Sequence, residues 1–307
     1  MMFGHEKVIT YLDRLIQKDK LAHAYAFCGP ENVGKRSTAI YIAQNIFCAD
    51  AMDVLHDRIK CSICFAITQG NHKNVILLDP EAAAGKLNIS ISVIRKLRQS
   101  LILKEMEGRK RIIIIDGAEY MNNEAANAFL KVLEEPRSHI HFFLMCGSQS
   151  ALMSTIVSRL QCVRFNTVSN VKIETALIDY GLSAKIAREY THLSYGRPGR
   201  AISFVKNPAL FMRAQEEAKH AHYLISDFIT ERMKLITSLS GETNDAYAQL
   251  NSWLLALAKI LEDQTKNGDS RSQSTARRIK DLLAAARLLN STNINLRLAL
   301  EKIIFSF

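Results

Sequence analysis

A short run near the start of this 307-residue chain has residue types and a spacing that bind phosphate. Gly29 opens a Gly-x4-Gly-Lys pattern that closes with Gly34 and Lys35. In a loop between a strand and a helix, this spacing lets backbone N–H groups surround the phosphates of a nucleotide while the lysine neutralises their charge. The next position ordinarily carries a hydroxyl that binds Mg²⁺, whereas Arg36 has donors but no lone pair for a metal. We therefore predict a nucleotide-binding loop without its usual magnesium ligand, formed by Gly29, Pro30, Gly34, Lys35, Arg36 and Ser37.

Further along the chain, an apolar strand ends in an acid. The four isoleucines of Ile112–Ile115 lead directly into Asp116. So apolar a strand is typical of the centre of a parallel sheet, and a carboxylate at its end is placed to hold Mg²⁺, directly or through water. A structural alternative for Asp116 is the cap of a following helix. Enzymes that hydrolyse nucleotides in this way place a glutamate next, whereas here Gly117 follows and Glu119 comes two residues later.

Composition argues against a membrane protein and favours an anionic partner. The chain contains no run of about 18 apolar residues, and charged residues interrupt its start too early for a secretory signal, so we expect a cytoplasmic protein. The formal net charge is +10, and Arg95–Arg111 supplies half of that excess. Such a segment either contacts a nucleic-acid backbone or is the solvated face of a helix that buries Ile94, Leu97 and Leu101.

Hydrophobic patterning predicts strands alternating with helices up to Asn166 and helices alone beyond it. An alternation of this kind indicates an α/β fold, a parallel sheet with helices on both faces. Within the helical second half we expect a polar loop over Gln264–Ala276. The predicted strands are His23–Cys28, Asn74–Leu78, Arg111–Asp116, Ile140–Cys146 and Leu160–Phe165, and the predicted helices between and before them are Lys7–Gln17, Ser37–Cys48, Ile89–Leu103 and Asn123–Glu135.

Several longer motifs occur in the order found in one protein family. The most specific is the run from Ala126 to Pro136, Ala-Asn-Ala-Phe-Leu-Lys-Val-Leu-Glu-Glu-Pro. With it, the chain resembles the AAA+ subunits of bacterial DNA polymerase III clamp loaders, and within that family the delta-prime type, which is related to gamma and tau. The resemblance extends to Thr292–Glu301, which is similar to the last collar helix. It is also carried by Gly4–Glu6, Ala22–Ala24, the phosphate loop, the strand ending in Asp116, Asn122–Pro136 and Ser154–Arg159.

The resemblance implies a division of the chain into three domains. Residues 1–166 would form an AAA+ P-loop domain that includes a degenerate zinc knuckle at 48–64. Residues 167–207 would form a small helical lid, and residues 208–307 an all-α collar for oligomerisation.

The resemblance also implies roles for single residues. Ser158-Arg159 matches the family's Ser-Arg-Cys motif, with Leu160 in place of the cysteine. Its arginine acts in trans on the ATP of a neighbouring subunit, because a fixed, always-charged guanidinium stabilises a transferring phosphate. Without the family, Arg159 would be a surface arginine paired with an acid. Cys146 falls where motor subunits carry a polar sensor, and Arg200 lies one residue from the second sensor, where packing between the lid and the sheet domain is the alternative role.

Three cysteines have the spacing of part of a metal site. Cys61 and Cys64 form a C-x2-C knuckle, the usual half of a zinc site, and Cys48 lies upstream. Tetrahedral zinc takes four ligands. The family spacing places the remaining ligand near Arg58, which cannot ligate, and His56 two residues away is the substitute. Two alternatives stay open: zinc is bound by these three cysteines and His56, or the knuckle is degenerate and empty.

Taken with the resemblance, these residues indicate a delta-prime-like stator. Such a subunit sits in a ring with gamma/tau and delta subunits, meets the sliding clamp indirectly, and helps place the clamp on primed DNA. It would supply Arg159 in trans and hydrolyse little or no ATP itself, although by membership it belongs to DNA polymerase III holoenzyme, a nucleotidyltransferase. Weak, magnesium-insensitive binding of ATP or ADP is expected, because Lys35 and the loop glycines remain.

Two alternatives stay open. One is an ATP-hydrolysing gamma/tau-like motor subunit of the same complex, in which Glu119 would polarise the attacking water. The other is a DNA-binding scaffold that keeps the AAA+ shape and uses Arg95–Arg111 to contact DNA, with an affinity that falls steeply as salt rises.

Overall fold

The computed structural model describes residues 4–51, 57–83, 86–103, 110–134, 139–225 and 243–291. The chain divides into two compact units. The first runs to Ala176 and also takes in Gly196–Arg200, and the second comprises Leu177–Tyr195 and the residues from Ala201 onward. The finer division into three domains, with boundaries at 166 and 207, stays a prediction. The segment 292–301, likened above to a collar helix, lies outside the described residues.

A parallel sheet of five strands forms the centre of the first unit. Its order is β2-β5-β6-β1-β7, and each neighbouring pair is parallel. The isoleucine strand β5 is therefore interior, as its composition predicted, and its isoleucines are buried. A separate antiparallel pair, β3-β4, was not predicted. The strands are β1 (Ala24–Cys28), β2 (Val75–Leu78), β3 (Glu81–Ala83), β4 (Lys86–Asn88), β5 (Arg111–Ile115), β6 (Ile140–Cys146) and β7 (Gln161–Arg164).

Helices cover both faces of this sheet, which confirms the α/β prediction. Because side chains alternate along a strand, Ile112 and Ile114 join one apolar cluster with residues of α1 and α2, and Ile113 and Ile115 join another with residues of α4 and α5. The helices of this part of the chain are α1 (Glu6–Gln17), α2 (Lys35–Phe47), α3 (Ser62–Thr68), α4 (Ile91–Leu103), α5 (Asn123–Glu134), α6 (Ser154–Val157) and α7 (Asn170–Asp179).

The second unit is helical in its described part. Its α11 packs against both α10 and α12 and contributes the fully buried Trp253. The sequence boundary at Asn207-Pro208 is a helix start, where the Asn207 side chain accepts a hydrogen bond from the Ala209 N–H at 3.1 Å. The remaining helices are α8 (Ala184–Ser194), α9 (Pro198–Lys206), α10 (Pro208–Ile225), α11 (Thr243–Lys266) and α12 (Ser272–Ser291).

The polar loop expected over Gln264–Ala276 is much shorter in the structure. Helix α11 continues through Lys266 and α12 begins at Ser272, so the prediction was wrong for most of that segment. Polar residues are tolerated on an exposed helix face, and Lys266 forms an ion pair with Glu262 one turn earlier. No helix in the described part of the chain combines the length and apolar character that crossing a bilayer requires.

Shortening a side chain of β5 is expected to destabilise the fold strongly. Ile114→Ala should lower the free energy of unfolding by about 2–5 kcal/mol, because the side chain is 1% exposed and its removal leaves a cavity. The control Val171→Ala, at a position 75% exposed, should change it by less than about 0.5 kcal/mol. Urea denaturation of both variants followed by circular dichroism measures the difference, and equal losses would contradict this account of the core.

Candidate functional site

The phosphate loop joins the end of β1 to the start of α2, as its sequence predicted. Its first glycine has no room for a side chain, because a Cβ on Gly29 would lie 2.1 Å from the Phe165 carbonyl oxygen. Gly34 precedes the helix with φ +109°, a left-handed conformation that favours glycine. The two glycines thus set the curvature of the loop, and Lys35 becomes the first residue of α2.

The lysine of the loop is folded back on the loop itself. Its Nζ donates to the carbonyl oxygens of Gly29 and Pro30, the second at 2.8 Å. Burial lowers the pKa of Lys35, and the negative charges of Glu119 and Asp116 partly offset that effect. The ammonium group has three N–H donors, so one remains for a phosphate oxygen while the other two hold the loop.

Arg36 lies between two carboxylates. Its Nη1 donates to Asp79 and, at 3.3 Å, to Asp116 Oδ2, and its Nη2 donates to Asp79 Oδ2 at 3.2 Å. Burial tends to lower the pKa of Arg36, but the hydrogen bonds and charges of both carboxylates outweigh it and raise the pKa. The guanidinium therefore neutralises the acid that was expected to hold Mg²⁺. The following 3₁₀ helix, Ala118–Tyr120, has no side-chain cap, so Asp116 does not play the structural role of a helix cap.

Asp79 is a site residue that the sequence reading missed. It follows β2, and Leu78 of β2 is the register partner of Ile115 of β5. The carboxyl ends of these neighbouring parallel strands therefore place Asp79 beside Asp116. An acidic residue directly after an apolar strand is the sequence signal that could have identified Asp79.

Lys35, Arg36 and Asp116 border a cavity of about 410 Å³, the predicted nucleotide cavity. Five of the predicted nucleotide-site residues line it, namely Gly34, Lys35, Arg36, Ser37 and Asp116. Gly29 and Pro30 border a second cavity of about 870 Å³ instead, although their carbonyls hold Lys35. The volume of the first cavity is within the range of small-molecule sites.

Glu119 and Cys146 also line the nucleotide cavity. Glu119 Oε1 accepts a hydrogen bond from the Gly147 N–H at 2.8 Å, while its Oε2 is buried without a partner among the described residues. The thiol of Cys146 donates to Cys28 Sγ at 3.2 Å. At the sensor position, the side chain therefore hydrogen-bonds a residue of the neighbouring strand β1.

The turn at Gly196–Gly199 contacts the phosphate loop through backbone. The Gly199 N–H donates to the Asn32 carbonyl at 2.7 Å, and Gly199 lines the cavity. Arg200, the candidate for the second sensor, is not among the lining residues. Arg197, which sequence reasoning missed, has its Nε buried without a hydrogen-bond partner in the described part of the chain. Burial and the nearby Arg200 lower the pKa of Arg197, and Glu31 opposes this. A half-buried cation whose buried Nε has no partner favours an anion nearby.

Arg159 lies just after α6, and the residues lining the nucleotide cavity do not include it. Its Nη2 donates to Glu134 Oε1 at 3.0 Å, and its Nη1 donates to the Thr155 carbonyl at 3.0 Å. The Ser158 hydroxyl accepts a longer bond at 3.4 Å, and the Arg159 side chain remains 37% exposed. The guanidinium is therefore held in one orientation on the surface, with part of it open to solvent.

Comparison with known proteins identifies the family. A family model described as "DNA polymerase III, delta subunit" matches residues 4–169. The chain belongs to this family.

One curated relative extends the match over nearly the whole chain, and others match about half of it. The DNA polymerase III subunit delta' of Bacillus subtilis is 26% identical, over 97% of this chain and 94% of its own length. The delta' subunit of Pseudomonas aeruginosa is 33% identical over 47% of this chain and 42% of its own. The tau/gamma subunit of Haemophilus influenzae is 32% identical over 53% of this chain, but only 22% of its length is matched. A solved gamma subunit-related protein of Thermotoga maritima covers 97% of both chains with a TM-score of 0.54 at 19% identity, which shows a shared fold.

In this member of the delta-subunit family, three thiols converge as the cysteine spacing predicted. The sulfur atoms of Cys48, Cys61 and Cys64 all lie within 4.8 Å of one another, and those of Cys48 and Cys61 are 3.8 Å apart. Tetrahedral zinc with bonds of about 2.3 Å separates its sulfurs by about 3.8 Å, so the donor set fits three of four positions. Hydrogen bonds lower the pKa of Cys61, and the one from the Cys64 N–H has the largest effect. Burial raises the pKa of Cys64 to about 12. His56 lies outside the described residues.

Arg58, at the position of the family's remaining ligand, has a structural role. It donates to Gln44 Oε1 at 2.8 Å and to Asn45 Oδ1 at 2.7 Å, and its guanidinium lies 4.4 Å from the centroid of the Tyr41 ring. These contacts tie the segment to α2 without a metal.

The basic segment Arg95–Arg111 is only partly available to a nucleic acid. On α4 the basic residues Arg95, Lys96 and Arg98 are exposed, opposite the buried apolar stripe that the sequence predicted. Lys110 pairs with Asp19, and Arg111 is buried, with Nη1 donating to the Ser100 carbonyl at 3.1 Å. Residues 104–109 lie outside the described part of the chain.

Replacing Arg36 by threonine should make nucleotide binding respond to magnesium. Arg36→Thr frees the carboxylates of Asp79 and Asp116 and restores a hydroxyl ligand, so Mg²⁺ should tighten ADP binding by about tenfold or more, or about 1.4 kcal/mol. Isothermal titration with and without Mg²⁺ measures this, with Arg36→Lys as a control that keeps a cation. The wild type should bind equally well in EDTA, and a strong magnesium requirement there would contradict the site described above.

The three converging thiols are expected to hold one zinc ion per chain. Elemental analysis of protein purified without a histidine tag should give about one equivalent, and Cys61→Ser should remove most of it because a ligand is lost. The control Cys162→Ser, at an exposed position outside the cluster, should retain the metal. Less than roughly 0.2 equivalents in the wild type would show an empty knuckle.

Proposed function

We propose that this chain acts as the stator of a bacterial clamp loader, in the manner of a delta-prime subunit. In this role it sits in a ring with gamma/tau and delta subunits and helps to load a sliding clamp onto primed DNA. Its contribution is positional and electrostatic, since it offers a fixed arginine to a neighbour and does not turn over ATP itself.

The observation that carries this proposal is the placement of Arg36. A hydrolytic site of this type needs a divalent cation to bridge the phosphates and neutralise the charge that develops on them. Here a guanidinium donates to both Asp79 and Asp116, so a metal at that place would have to displace a side chain fixed to the loop. Nucleotide binding without hydrolysis remains compatible with this arrangement, through Lys35 and the loop N–H groups.

The position of Arg159 supports a role in trans. It is absent from the chain's own nucleotide cavity, yet three hydrogen bonds from its guanidinium fix the side chain on the surface after α6. A preoriented guanidinium loses little entropy when it meets a phosphate, which is the property required of an arginine finger. In the free chain, Glu134 neutralises the charge of Arg159. In the ring, the more negative γ-phosphate of a neighbour's ATP can replace Glu134 as the partner of Arg159.

The structural module at the cysteines is proposed to be separate from this chemistry. Zinc held by Cys48, Cys61 and Cys64 would crosslink the end of α2 to α3 and would supply folding energy rather than catalysis.

One observation favours a motor subunit as the second candidate. Glu119 lines the cavity, and its buried Oε2 has no hydrogen-bond partner in the described residues, so this carboxylate is a candidate for polarising a water. Its other oxygen, however, accepts a hydrogen bond from the Gly147 N–H. The metal that such a mechanism needs would have to bind Asp116, whose carboxylate already accepts a hydrogen bond from Arg36. The stator therefore accounts for more of the site.

Removing the guanidinium of Arg159 should slow a neighbour's reaction. In the reconstituted clamp loader, Arg159→Ala should reduce turnover at the receiving site by about 10³-fold or more, and so lower the DNA-stimulated ATPase of the ring. Arg159→Lys should not restore it, because a lysine offers a point charge without the planar fork. Steady-state ATPase assays measure the effect.

The control for this experiment is Arg14→Ala, which removes an exposed arginine from α1. Gel filtration should show that both variants enter the ring as the wild type does. An unchanged ATPase in an assembled ring containing Arg159→Ala would refute the role in trans.

A further inference from the structure

Two cysteines at the ends of adjacent strands are not used by the proposed function. Cys28 ends β1 and Cys146 ends β6, and the two are register partners in a parallel pair. Neighbouring strands run about 4.8 Å apart, which lies within the Cα separations that a disulfide spans. The Cys146 thiol donates to Cys28 Sγ at 3.2 Å, so both sulfurs already point to the same face and to each other.

The two thiols are chemically unequal. The hydrogen bond from Cys146 and, to a lesser extent, one from Cys162 lower the pKa of Cys28 to about 7 against the opposing effect of burial, with help from the positive charges of Lys35 and Arg164. The hydrogen bond between Cys146 and Cys28, together with burial, raises the pKa of Cys146. At neutral pH, Cys28 is therefore a nucleophilic thiolate for much of the time beside a protonated partner. This is the arrangement of an oxidant-reactive cysteine and a resolving cysteine.

A small oxidant has a route to the pair. Cys28 borders the cavity of about 870 Å³ next to the phosphate loop, and Arg164 on the wall of that cavity makes the surroundings electropositive. Cys28 is 6% exposed, which suits a small hydroperoxide better than a bulky disulfide reagent.

We propose that Cys28 and Cys146 form a reversible disulfide when the chain meets hydrogen peroxide or another small hydroperoxide. The Cys28 thiolate attacks a peroxide oxygen, the O–O bond breaks, and hydroxide leaves as Cys28 becomes a sulfenic acid. The Cys146 sulfur then attacks the Cys28 sulfur, the S–S bond forms, and the hydroxyl group leaves with the Cys146 proton as water. In total, two thiols lose two electrons and hydrogen peroxide is reduced to two waters, or an organic hydroperoxide to an alcohol and one water; a dithiol reductant reverses the change.

The bond would form at the nucleotide site. It would tie the strand that feeds Gly29 to the residue that lines the nucleotide cavity, next to the existing hydrogen bond from the Gly29 N–H to the Cys146 carbonyl at 3.1 Å.

The test is peroxide treatment of the intact chain, followed by alkylation of the remaining thiols, proteolysis and mass spectrometry. The wild type should yield a Cys28–Cys146 crosslinked peptide, 2 Da lighter than the sum of its parts and lost on treatment with dithiothreitol. Cys28 should react roughly tenfold faster than Cys162 at pH 7, although Cys162 is exposed, because the pKa of Cys28 is lowered and the pKa of Cys162 is raised.

Variants separate the steps. In the double variant Cys146→Ser/Cys162→Ser the reaction should stop at the Cys28 sulfenic acid, which dimedone traps, because Cys162 also hydrogen-bonds Cys28 and must be removed as a second resolving thiol, whereas Cys162→Ser alone should form the crosslink as the wild type does. A crosslink from Cys28 to Cys162, or full alkylation of Cys28 and Cys146 after a peroxide dose that oxidises Cys162, would overturn the proposal. Because peptides are mapped singly, oxidation within the Cys48 cluster does not affect either result.

Discussion

The chemistry of this site depends on the guanidinium of Arg36 between Asp79 and Asp116. The two carboxylates converge at a place where a hydrolytic enzyme holds an exchangeable divalent cation. Here the opposing charge is covalently part of the phosphate loop, so it cannot leave or coordinate a water as a metal does. The loop keeps its shape and its lysine, while the carboxylates that a metal would use are already paired with Arg36.

The sheet makes that interaction possible. Strands β2 and β5 are parallel neighbours in register, so the residues after them emerge side by side, and α2 begins with Lys35 and Arg36 beside the same edge. The remaining charged group of interest, Arg159, is carried after α6 and away from this cavity. The fold thus separates a retained phosphate loop from an exposed arginine, and this separation is what a subunit serving a neighbour's reaction requires.

Much of this architecture could be predicted from local patterns. The isoleucine strand, the glycine loop and the alternation of strands with helices follow from short-range signals, and the convergence of three cysteines follows from their spacing. The site residues that were missed depend on contacts between distant parts of the sequence. Asp79 becomes a site residue only through the pairing of β2 with β5. The unpaired Nε of Arg197 depends on a turn far along the chain. The loop over Gln264–Ala276 failed for another reason, since composition alone does not distinguish a polar helix face from a loop.

ATP turnover by the isolated chain in the presence of Mg²⁺ tests the central claim most directly, with Glu119→Gln measured beside it. With Arg36 in place, turnover should stay at the background of the assay in both proteins. Steady hydrolysis at roughly 1 s⁻¹ or more by the wild type, abolished in Glu119→Gln, would contradict the account and make the chain a motor.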